Sequence, residues 1–81
     1  MNQEIMILKG QLADDKKRFN ELKIKALGTQ SIVRQLIPPY GDLLKIEEEK
    51  FLVYSKELSE TIKEMKELQL KITEMERDLN G

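Results

Sequence analysis

The side chains with chemical potential fall into a few runs: Asp14-Asp15, Glu47-Glu48-Glu49, and the cations Lys16-Lys17-Arg18. Paired carboxylates hold a metal or shuttle a proton only when they converge on one face beside a pocket. Adjacent residues of a helix project about 100° apart, so neighbouring acids diverge and read as solvated faces. The basic run could contact phosphates, but it follows two acids and its three side chains also diverge. Tyr40 and Tyr54 read as a binding tip and a packing residue. The chain has no His and no Cys, which removes the commonest general base, thiol chemistry, disulfides and the usual zinc ligands. Phosphate-cradling glycine loops, nucleophile motifs and dinucleotide fingerprints do not occur. The expectation is a protein with no catalytic residue, no metal and no cofactor.

The elements that position these residues are set by Leu36-Ile37-Pro38-Pro39-Tyr40-Gly41-Asp42, the one place where a helical pattern is forced to stop. Proline fixes φ, has no N–H and drives the preceding residue out of the α region, so a first helix ends at about Ile37. Gly41 permits a tight bend and Asp42 can cap the next helix. Pro38, Pro39, Tyr40, Gly41 and Asp42 therefore read as a hairpin turn between a helix over about 2–37 and another over about 43–80. Asn2 is the expected first cap, and Asn80-Gly81 the expected close of the second helix.

A seven-residue apolar repeat runs through both halves. Its sites are Ile5, Leu8, Leu12, Asp15, Phe19, Leu22, Ala26, Thr29, Val33 and Leu36, then Leu44, Glu47, Phe51, Tyr54, Leu58, Thr61, Met65, Leu68, Ile72, Met75 and Leu79. Of these 21 sites 17 are apolar or aromatic, where the overall 40% apolar content would place about eight. Gly10 and Gly28 each weaken the first helix by about 1 kcal/mol relative to alanine. The apolar phase is unchanged across Gly28, which favours one continuous helix; a bend there is the alternative.

Folding the chain antiparallel about Tyr40 pairs Leu36 with Leu44, Thr29 with Phe51, Ala26 with Tyr54, Phe19 with Thr61 and Ile5 with Met75, and sets each aromatic opposite a small residue. Flanking charges agree. The first helix shows Lys9, Lys16, Arg18, Lys23 and Lys25 against Glu4, and the second Glu48, Glu57, Glu64, Glu76 and Asp78 against Lys50 and Lys71. Basic against acidic favours the hairpin over either helix pairing with itself, with Arg18–Glu64 and Lys25–Glu57 as the expected contacts. Asp15 at a core site needs an open end or a cation, from Lys16, Arg18 or another subunit. The fold class is all-α, an antiparallel two-helix coiled-coil hairpin forming a single domain over 1–81.

One seam leaves apolar residues over. Ile24, Leu27, Ile32, Ile37, Leu43, Ile46, Leu52 and Val53 lie off it, all in the half nearest the turn. A cluster of this kind on a thin rod reads as an interface for self-association into a dimer or larger helical bundle, or for a partner protein. The alternative is a bend near Gly28 that folds 31–37 back over it. A nucleic-acid accessory role would use Lys9, Lys16, Lys17, Arg18, Lys23 and Lys25, but a net charge of −1 gives no global drive toward nucleic acid or membrane. Met6-Ile7-Leu8 is too short and too soon interrupted by Lys9 for a signal sequence or membrane span, so a cytoplasmic setting is expected.

The run Ile32-Val33-Arg34-Gln35-Leu36-Ile37-Pro38-Pro39, then Leu43-Leu44, Glu48-Glu49 and the ending Ile72-Thr73-Glu74-Met75-Glu76-Arg77-Asp78-Leu79-Asn80-Gly81, resembles small helical proteins of Mu-like bacteriophages and prophages. These carry a basic residue, a leucine and a proline before a second amphipathic helix ending near Leu-Gly. The resemblance covers about residues 32–81 and departs at the Pro38-Pro39 doublet. It implies no activity, only expression in a bacterial host cytoplasm; besides itself, the hairpin's candidate partner is a host or phage protein.

Overall fold

The computed structural model describes residues 2–80. It contains two long helices, α1 (Asn2–Leu36) and α2 (Glu48–Asn80), packed antiparallel as an all-α hairpin. The rod measures 62 × 17 × 16 Å with a radius of gyration of 18.2 Å. A compact chain of this length would have a radius of about 12 Å, so each helix has a single partner and the core is one narrow seam. The side chain of Asn2 and the terminal Gly81, both expected to cap, lie outside the described residues.

Helix α1 runs unbroken through Gly28, as the constant apolar phase requires, so the alternative bend that would fold 31–37 back does not occur. It stops where the prolines demand. Ile37 N–H donates to Arg34 O at 3.3 Å, a tightened last turn, and Pro38 is extended at φ −68°, ψ 141°. Tyr40 and Gly41 then both adopt the left-handed region, with φ of 65° and 74°. That conformation is free for glycine and costs about 1 kcal/mol or more for tyrosine.

The connection is longer than the expected 38–42. Leu43–Lys45 forms a separate 3₁₀ turn, in which Lys45 N–H donates to Asp42 O at 3.1 Å and Ile46 N–H to Leu43 O at 3.2 Å. Helix α2 begins only at Glu48, so the expected start near residue 43 is corrected by a full turn. Asp42 does not cap it. Its carboxylate instead sits 3.2 Å from Lys45 Nζ, while the Glu47 carbonyl accepts the first helical bond, from Phe51 N–H at 2.9 Å. Leu44, expected to close the first layer against Leu36, is 99% exposed on the connection.

This length resets the register. The helix ends Leu36 and Glu48 are symmetric about residue 42, and the four ion pairs joining the helices are centred on residues between 41 and 46. All four midpoints lie beyond residue 40, so α1 meets α2 further along than folding about Tyr40 would place it. Ile5 is 45% exposed while Met75, its expected partner, is 8% exposed.

Leu22, Ala26, Thr29, Thr61, Ile72 and Met75 are the buried residues. Two are threonines, whose hydroxyls donate to carbonyls one turn back in their own helix: Thr29 to Lys25 O at 3.0 Å and Thr61 to Glu57 O at 2.9 Å. The polar groups are thus satisfied locally, and the small side chains let the helices approach closely.

Candidate interaction surface

The eight apolar residues singled out beside the turn are where the periodicity puts them, off the seam. Ile24, Leu27, Ile32, Ile37, Leu43, Leu52 and Val53 are exposed and Ile46 is half-buried. They share an end of the rod but not a face. At about 100° per residue, Ile24 points away from α2, and Leu27 and Ile32 fall on opposite sides of the seam. Beyond them the tip presents Tyr40, 103% exposed, and Leu44, and the other end of the rod exposes Met6 and Ile7.

The two sides of the seam differ in a way that composition does not show. One side is laced by the expected ion pairs, Arg18–Glu64 at 3.2 Å and Lys25–Glu57 at 3.7 Å. The Arg18–Glu64 contact is itself a hydrogen bond, Nη2–H donating to Oε1, and Arg18 also lies 3.9 Å from Glu21. All of these side chains are about half exposed, so each pair contributes ~0.2 to 1 kcal/mol and selects the partner more than it stabilises the fold. The other side has no such lacing over its middle. There an open groove runs along the seam, with Ala26, Leu27 and Val33 of α1 and Leu58, Ile62 and Met65 of α2 forming its floor and walls.

Its rim is polar and of one sign. Lys23, Lys63 and Lys66 border it together with Gln30, Ser55 and Ser59, and no acid lines it. None of the three lysines forms an ion pair among the described residues. Toward the open end the same side is closed by Lys16 and Glu76, 3.1 Å apart. Ile62 and the two serines escaped the sequence reading. The available signal was the row Ser55, Ser59, Ile62, Lys66 on one flank of α2, where the opposite flank carries Glu57 and Glu64.

Asp15 is the one core carboxylate, with its side chain 17% exposed. Its partner is Lys71 of α2, 3.2 Å from Oδ2, rather than Lys16, Arg18 or another subunit. The contact is ionic only. Oδ2 is closed to solvent and receives no aligned hydrogen bond.

Among the described residues no group of His, Cys, Asp and Glu converges to hold a metal, and no helix is long and apolar enough to cross a membrane. Of the six cations that could serve a phosphate backbone, Lys16, Arg18 and Lys25 are each engaged by an acid of α2. No protein-family model, curated protein or solved structure matches the chain.

Proposed function

We propose that this chain is a non-enzymatic interaction protein, a rigid helical hairpin whose turn-proximal half assembles with further copies of itself. The supporting observation is surface. The chain exposes 6809 Å², whereas a compact folded protein of its 9.5 kDa exposes about 5,000 Å². The surplus is comparable to the total area, about 1,200 to 2,000 Å², that a stable pair of proteins buries. Exposed Ile37, Leu43 and Leu52 at the turn end give such an interface an apolar centre. The mechanism is association of hairpin ends into a dimer with a four-helix section or a larger bundle.

The resemblance to small proteins of Mu-like phages supports a bacterial cytoplasmic setting and a role beside host or phage proteins. Nucleic acid is the less favoured partner, because half of the cations it would use already face acids. Sedimentation velocity across the micromolar range tests the reading. A species heavier than 9.5 kDa is expected, and a clean monomer at every concentration would count against it.

A further inference from the structure

The groove on the unlaced side of the seam is separate from the tip, and its chemistry asks for a different occupant. We infer that the groove between Leu27 and Ile62, rimmed by Lys23, Lys63 and Lys66, docks an amphipathic helix with acidic flanks from another protein. Three features point this way. The floor is apolar and contributed by both helices, so it exists only in the folded hairpin. Its lining residues on α2 run from Ser55 to Lys66, a length that matches about three turns of a bound helix. The rim is uniformly cationic and its lysines have no acid of their own, whereas the opening on the other side is lined by charges of both signs, Arg18 and Lys71 with Glu64 and Glu67, and both cations there are already paired with acids.

Charge also decides against a second copy lying face to face in this groove, since that would bring the lysines of both rims together. An apolar stripe flanked by Glu or Asp satisfies floor and rim at once. Ser55 and Ser59 keep the wall low on α2, and the Ser55 hydroxyl is already paired, turned onto the Phe51 carbonyl of its own helix.

The test uses the full chain and a fluorescent synthetic helix of about 18 residues, long enough to be helical when bound, with a leucine stripe and glutamate flanks. A second peptide has the same stripe and lysine flanks. Fluorescence anisotropy is expected to show the glutamate peptide binding about tenfold more tightly, the sum of three exposed charge contacts. The variant K23Q/K63Q/K66Q should lose about that factor, while K9Q/K17Q/K56Q, with the same change in net charge away from the groove, should bind as the parent does. Circular dichroism confirms that both variants fold. Equal binding of the two peptides, or equal loss in the two triple variants, would overturn the inference. So would co-sedimentation with phosphatidylglycerol vesicles that only the groove variant abolishes, since the groove would then be a lipid surface. Oligomeric state is read separately by sedimentation, so failure of peptide binding leaves the self-association result standing, and the converse.

Discussion

Replacing Asp15 by leucine is the sharpest perturbation of the seam, because the site is occupied by a carboxylate where the repeat wants an apolar side chain. The side chain is 17% exposed, so a leucine there would bury most of its surface. Full burial of leucine stabilises by about 1.5 to 3 kcal/mol, which leaves roughly 1 to 2.5 kcal/mol at this exposure. Against that stands loss of the contact with Lys71, which is 57% exposed and 3.2 Å away. A pair with one solvated partner and no aligned hydrogen bond contributes about 0.2 to 1 kcal/mol. The net gain is about 0 to 2 kcal/mol, and its midpoint of about 1 kcal/mol corresponds to a rise of about 4 to 8 °C in Tm for a chain of this size. Thermal melts followed at 222 nm, at several concentrations so that association is accounted for, measure it. Lys71→Ala alone should lower Tm by a few degrees, since it strips the only cation from a solvent-inaccessible oxygen, and should be neutral once Asp15 is leucine. A fall in Tm for Asp15→Leu with unchanged mass would refute the reasoning. A stabilised mixture of oligomers would assign Asp15 the role of specifying one assembly.

Other substitutions probe the backbone. A β-carbon at Gly10 or Gly28 would meet no atom within 4 Å, so Gly28→Ala should stabilise by about 1 kcal/mol, raising Tm by about 4 to 8 °C, and Gly10→Ala by a similar or smaller amount near the end of α1. Tyr40→Asn should raise Tm by a few degrees, because asparagine tolerates φ near 65° and the tyrosine ring, fully exposed, makes no contact to lose; a drop would show that the ring holds the turn. Changing Pro38 and Pro39 together to alanine should let α1 continue and leave α2 to find its seam on a second chain. Size-exclusion chromatography with light scattering should then report a larger, extended dimer, and an unchanged elution would mean that the seam and Gly41 suffice for the hairpin.

Most of the secondary structure and the choice of partner were legible because they rest on local or pairwise rules. Pro38 stops a helix wherever it stands, and α1 ends within a residue of the expected Ile37. Charges a heptad apart, Arg18 and Lys25 against Glu64 and Glu57, found each other because each helix carries one sign along that flank. The site was less legible. Of its apolar members on α1, Leu27 was visible as a surplus hydrophobic and Ala26 and Val33 as seam sites, but Ile62, next to the seam site Thr61, was not singled out.

What the sequence by itself determined is that two amphipathic helices must meet, basic flank to acidic flank, around one forced break. Helical period, proline sterics and charge sign suffice for that. Only the tertiary structure decided how far along they meet and which side stays open. A periodic seam can slide by a turn and still bury apolar surface, so register depends on the length of the connection. That length was set by left-handed Tyr40 and Gly41 and the extra turn at Leu43–Lys45. With that connection Leu44 lies exposed, Lys71 meets Asp15, and Ala26 and Leu27 lie beside Leu58 and Ile62 in a lysine-rimmed groove.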